Sequence, residues 1–252
     1  MWLNDKFISD VGTHLSAIYS LTTYYGFFPV SGSESNNLRT WVPYLDGFFS
    51  EFGQHTGSVL SQAILSDSLI ATGSSDFTIQ IYNISTRVFK FKITYTSSIY
   101  SLTYLKNNFL AAGSEDSKIV IWNFFTQTQF SIIEGHIGTI FSLLALPNGN
   151  LVSASADKTI KIWDVSTISP ILIRTLNGHT DEVRCLALLL AGHLASGSSD
   201  QTIKIWDVNT GVELTTLIGH SGRINDLAVH PKGYLASASD DNDIIIWNTV
   251  GL

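Results

Sequence analysis

The chain has 252 residues, of which 44% are hydrophobic and only 14% charged, against about 25% charged in an average globular domain. This composition supplies ample core material and excludes disorder as a description of the whole chain. Fourteen Lys and Arg against 21 Asp and Glu give a formal net charge of -7, the wrong sign for counterion-release binding to nucleic acid or for attraction to an anionic membrane surface.

Taken in chain order, Met1 to Asp10 carries Asp5, Lys6 and Asp10 among its apolar residues and does not read as a secretory leader. The longest apolar stretch, Leu186 to Ala191, is far short of the roughly 20 residues that cross a bilayer. The single cysteine, Cys185, sits in an apolar run and reads as a small buried hydrophobe in a reducing compartment. These features predict a cytoplasmic protein, with the nucleus left open.

A repeat organises the whole chain. The aromatic positions Trp41, Tyr82, Trp122, Trp163, Trp206 and Trp247 are separated by 41, 40, 41, 43 and 41 residues. Each lies 27 residues after a second marker: His14, His55, Tyr95, His136, His179 and His220. Six residues before each aromatic stand Ser35, Asp76, Asp116, Asp157, Asp200 and Asp241. All length variation falls between one aromatic and the next His position, which implies a rigid unit joined by adjustable connections. The expected organisation is one domain over residues 1–252.

Within each unit the pattern is strand throughout. Ile203 to Trp206 and Thr159 to Trp163 are short β-branched runs bounded by turn clusters such as Ser196-Gly197-Ser198-Ser199-Asp200. Val183 to Leu189 and the run from Leu194 supply two strands ahead of that turn, and residues 210 to 217 supply an outer fourth. Four strands in about 42 residues make a propeller blade. The chain is therefore predicted to be all-β, a β-propeller of six four-stranded blades.

Gly178-His179, then Leu194 to Asp200, then Ile205-Trp206-Asp207 resembles a repeat of the WD-repeat β-propeller family, and the likeness covers essentially the whole chain. Most members of that family have seven blades, so a missing seventh blade, or an open ring completed by a partner, stands as the alternative to six. The last unit is short and Met1 to Thr13 is left over, so Phe7 to Val11 is expected to pair as the outer strand of the blade made by residues 220 to 248. That pairing would close the ring by joining the N-terminal strand to the C-terminal blade and would remove exposed sheet edges.

Recurring Ser, His and Asp invite a hydrolase reading. A catalytic constellation has no reason to recur at one spacing, and no G-x-S-x-G elbow occurs. A buried carboxylate needs a donor, and an imidazole supplies one while its other nitrogen reaches a hydroxyl. The resemblance implies that this hydroxyl comes from Thr72, Ser153, Ser196 and Ser237, and that the chain of bonds ends on the aromatic position. Complete structural sets are His136/Ser153/Asp157/Trp163, His179/Ser196/Asp200/Trp206 and His220/Ser237/Asp241/Trp247. In the third unit Tyr95 and Ala112 replace His and hydroxyl, in the first Ser35 replaces Asp, and in the second Tyr82 replaces Trp. Histidines spaced 40 to 43 residues apart belong to different blades and cannot converge on one ion. No metal site and no cofactor is expected.

The resemblance also implies where ligands dock: the face carrying the His connections and Asp turns. Positions five after the His are Tyr19, Leu60, Tyr100, Phe141, Arg184 and Asn225; neighbouring positions add Glu34, Glu115, Glu182, Arg223 and Asp240. Aromatic and Arg side chains are the usual anchors of interfaces. The expected function is a non-catalytic scaffold that binds a protein or peptide on this rim, an extended peptide with apolar anchors and one acidic or phosphorylated residue. Against it stands a bland alternative, in which Arg184 merely pairs with Glu182 or Asp240. A second alternative is a passive assembly platform using the outer edge or opposite face, in a sensor domain of a longer chain. An enzyme with a channel active site is the remote third. No homo-oligomer is implied. Arg87 to Lys92 reads as an outer edge strand with its charges outward.

Overall fold

A computed structural model describes residues 2–3, 6–7, 16–24, 28–41, 49–53, 55–66 and 68–251. Every regular element among them is a strand, and the strands follow one another as six blades of a β-propeller. The chain divides into two compact units, residues 1–104 with 124–127, and residues 105–123 with 128–252.

The first unit contains the first blade, Ile18–Tyr24, Phe28–Ser33, Leu38–Trp41 and Phe49–Phe52. It also holds the second, Val59–Ser66, Leu69–Ser74, Thr78–Asn83 and Val88–Thr94. Val30, Leu38 and Phe52 of the first blade pack with Val59, Ile70 and Tyr82 of the second. In the outer strand Val88–Thr94 the alternation expected from sequence is present, with Lys90 and Lys92 exposed and Ile93 buried. The inner strand of the third blade, Ile99–Leu105, begins in this unit.

The second unit contains the other strands of the third blade, Phe109–Ser114, Ile119–Asn123 and Thr128–Ile133. The fourth blade follows as Ile140–Ala145, Leu151–Ser155, Ile160–Asp164 and Ile171–Leu176. The fifth is Val183–Leu188, Leu194–Ser198, Thr202–Trp206 and Glu213–Ile218. The sixth is Ile224–Val229, Tyr234–Ser239 and Ile244–Asn248.

Blades of this unit stack through alternating positions. In the fifth, Ile203 and Ile205 face the sixth, where Ile224, Leu227, Leu235 and the Trp247 indole cover them. One residue on, Trp206 faces back into the fourth blade against Leu146, Val152 and Ile162. The second strand is buried along its whole length in the fourth and fifth blades, because a neighbour lies on each side. That position demands small side chains. A Cβ on Gly197 would come within 2.6 Å of both the Cys185 sulfur and Ile224, so glycine permits the close approach of two blades.

The expected ring-closing strand, Phe7 to Val11, lies outside the described residues except for Phe7. Trp2–Leu3 pairs antiparallel with Lys6–Phe7, Trp2 lying opposite Phe7, and among the described residues the sixth blade has three strands. Ile244 and Ile246 are 72% and 62% exposed, whereas their counterparts Ile203 and Ile205 are fully buried.

Candidate functional site

The marker residues are built into position by one turn. After each Asp position the backbone enters the left-handed region, at Asn36, Phe77, Ser117, Lys158, Gln201 and Asn242, with φ between 67° and 71°. This bend swings the Asp side chain back toward the preceding His connection. In the fifth blade Asp200 Oδ2 lies 2.8 Å from His179 Nδ1 and accepts from the Thr180 amide at 3.0 Å. Its Oδ1 accepts from the Thr202 amide and hydroxyl at 3.0 and 2.7 Å. His179 Nε2 lies 2.8 Å from Ser196 Oγ, which accepts from the Trp206 indole N–H at 2.8 Å.

An indole can only donate and an ionised carboxylate can only accept. The chain is therefore satisfied in one direction: Trp to Ser, Ser to His Nε2, and His Nδ1–H to Asp. The same geometry holds for His136, Asp157, Ser153 and Trp163, and for His220, Asp241, Ser237 and Trp247. Burial alone would raise these carboxyls. Hydrogen bonds from imidazole, hydroxyl and backbone outweigh it and hold Asp157, Asp200 and Asp241 well below the usual carboxylate range.

Connected in this order, Asp, His and Ser have the wiring of a nucleophilic relay. Ser153 and Ser196 are 0% exposed, however, and each hydroxyl is already occupied by an indole. Neither hydroxyl is open to solvent. Among the described residues, no group of three or more His, Cys, Asp or Glu side chains could hold a metal ion.

Incomplete copies differ as their residues dictate. In the second blade His55 pairs with Asp76 at 2.9 Å and Thr72 at 2.8 Å, while the Tyr82 hydroxyl donates to Gln80 Oε1. Burial lowers the His55 imidazole below its usual value, opposed by Asp76. His14 lies outside the described residues, but Trp41 donates to Ser31 Oγ at 2.7 Å. Sequence reasoning missed Ser31, although it stands 10 residues before Trp41, as Ser196 does before Trp206. It also missed the threonines two past the Asp, Thr78, Thr159 and Thr202, which donate to Oδ1 in three blades.

The third blade leaves a defect. Ala112 occupies the hydroxyl position, and the Trp122 indole nitrogen is buried with no hydrogen-bond partner. Ala112→Ser is expected to supply an acceptor to the indole, and to raise stability by about 1 kcal/mol. Urea denaturation of the two proteins checks this; an unchanged or lower midpoint would show that the added oxygen is not accommodated.

The rim positions come together within each unit through one recurring backbone bond. The residue before the Asp position donates its amide to the carbonyl three past the His: Glu34 to Ala17, Ser75 to Ser58, Ala156 to Thr139, Ser199 to Glu182 and Asp240 to Arg223. In the first unit Tyr19 and Glu34 are exposed and Leu60 and Tyr100 half-buried. In the second unit Glu115 is exposed. There the Arg184 guanidinium lies 4.3 Å over the Phe141 ring and pairs with Glu182 at 3.0 Å. Arg223 Nε lies 2.5 Å from Asp240 Oδ2, and Asn225 donates to Asp240 Oδ1 at 2.5 Å. Of the two pairings open to Arg184, Glu182 is the one made.

Serial four-stranded sheets with a buried His–Asp–Ser–Trp chain define the class as a WD-type repeat protein. The family model for the WD domain, G-beta repeat, matches residues 48–83, 86–123, 127–164, 171–207 and 211–248, and the chain belongs to that family. No curated protein matches the chain. Among the described residues no helix is long and apolar enough to cross a membrane.

Proposed function

We propose that the chain is a protein-interaction scaffold that binds a peptide or an extended protein segment on the His/Asp face of its second unit. Scaffolding is the general role of the family; the location is what the side chains add. The observation that carries it is the stack of Arg184 on Phe141, fixed by Glu182. An aromatic–guanidinium pair offers large contact area, and its side chains are already ordered before a ligand arrives, which lowers the entropy lost on binding. Phe141→Ala/Arg184→Ala is expected to lower affinity for captured partners by about 10-fold or more. Quantitative affinity capture with wild type and double variant measures this, and a partner set unaffected by the change overturns the location.

A second reading has one observation in its favour. On the outer strand of the fourth blade Ile171, Leu172 and Ile173 are all exposed, with Ile168 just ahead of them. The outer strands of the second and fifth blades carry exposed charge, Lys90 and Lys92 or Glu213, which discourages edge pairing. An assembly platform would use this unguarded edge.

A further inference from the structure

The proposed rim ligand can be given a charge, and this step rests on the rim reading above. Two arginines on a rim suggest an acidic or phosphorylated ligand, as the sequence alone does. The side chains argue otherwise. Arg184 has Glu182 at 3.0 Å and Arg223 has Asp240 at 2.5 Å, so both cations are neutralised within their own blades. An incoming phosphate would reach only the guanidinium N–H groups that these bonds leave free and would sit beside Glu182 or Asp240, whose charge repels it.

An incoming cation meets the opposite situation. Exposed Asp181 adjoins Glu182, and exposed Asp243 lies on the turn that begins at Asp240. Beneath these turns Asp200 and Asp241 are held ionised by their hydrogen bonds. A lysine or arginine brought to Glu182 or to Asp240 gains attraction without breaking an existing bond, and in a chain of net charge -7 the long-range field has the same sign. An apolar contact is available on the same face. Ile137, on the connection that carries His136, is 90% exposed, where Thr56, Thr180 and Ser221 stand in other blades.

We infer that the rim of the second unit selects a basic segment, an extended peptide carrying a Lys or Arg next to an apolar residue, and discriminates against acidic and phosphorylated peptides. The test uses three fluorescein-labelled mixtures of short peptides, identical except that a central Lys, Glu or phosphoserine follows a fixed Val, the flanking positions being randomised. Anisotropy titration is expected to show the Lys mixture binding at least about fivefold more tightly than either other, with the difference shrinking as salt is raised. Glu182→Gln is expected to weaken the Lys mixture and strengthen the phosphoserine mixture, because it frees the Arg184 guanidinium.

Tighter binding of the Glu or phosphoserine mixture to the wild type, lost in Phe141→Ala, overturns the charge and leaves the rim standing. Binding of the Lys mixture that is unchanged in Phe141→Ala overturns the rim itself. Absence of binding by all three mixtures up to about 1 mM, a bare 4 kcal/mol of affinity, overturns both.

Discussion

Replacing Asp200 by alanine is expected to cost on the order of 3 kcal/mol of folding stability, a large share of the 5 to 15 kcal/mol typical of a domain. The carboxylate serves four donors: the His179 ring, the Thr180 amide, and the amide and hydroxyl of Thr202. Alanine leaves the imidazole and the Thr202 groups without an acceptor in a region where His179 is buried. An unpaired buried polar group costs about 1 to 3 kcal/mol each, reduced where water can enter. Asp200→Asn keeps the shape and one acceptor oxygen but turns an NH2 toward a donor, and is expected to cost about half as much. Asp243→Ala, at an exposed position of the neighbouring turn, should stay within about 0.5 kcal/mol. Denaturant unfolding of the three variants checks the order; equal losses in Asp200→Ala and Asp243→Ala would mean that the hydrogen-bonded chain contributes little.

That chain was legible in the sequence because its geometry is fixed by constant spacings. A rigid blade keeps His, Asp and Trp at separations of 21 and 6 residues in every copy, so chemistry that belongs together appears as columns. Thr202 and its equivalents escaped notice because the column is mixed: Asn37, Lys118 and Asp243 occupy it elsewhere. Its role appears only when the left-handed residue after the Asp folds the hydroxyl back onto the carboxylate. Gln80 escaped for a different reason. The Tyr82 hydroxyl sits at the tip of its ring and bonds to Gln80 Oε1, where an indole N–H in other blades reaches the serine.

Contacts between repeats were the least legible. Nothing in the local pattern pairs Arg184 with Phe141, because the two residues stand at the same position of successive repeats and meet only when blades stack. The pairing of Phe7 with Trp2 was not legible either, because a count of leftover residues cannot see a partner close at hand along the chain. Stacking itself was implicit in the alternating apolar residues, yet the face that each residue uses follows from the fold: Ile203 looks forward to the sixth blade and Trp206 back to the fourth.

Lowering the pH is expected to destabilise the protein in two stages, and the sign distinguishes specific bonds from general charge. Asp76, Asp157, Asp200 and Asp241 all lie below the usual carboxylate range in the folded state. Below about pH 5 the unfolded chain takes up protons that the folded chain refuses, so stability must fall as pH falls. His55 acts in the same direction at higher pH. Burial keeps it below its usual value, so the unfolded chain gains a proton first, from about pH 6.5 downward. Self-repulsion predicts the reverse, since acid reduces a net charge of -7 and should at first favour the compact state. Urea midpoints at pH 7, 5.5 and 4 are expected to fall shallowly and then steeply. Asp200→Asn, which removes one of the titrating carboxylates, is expected to flatten the steeper stage; a midpoint that rises between pH 7 and 5.5, or a variant profile parallel to the wild type, would assign the pH dependence to overall charge instead of these buried pairs.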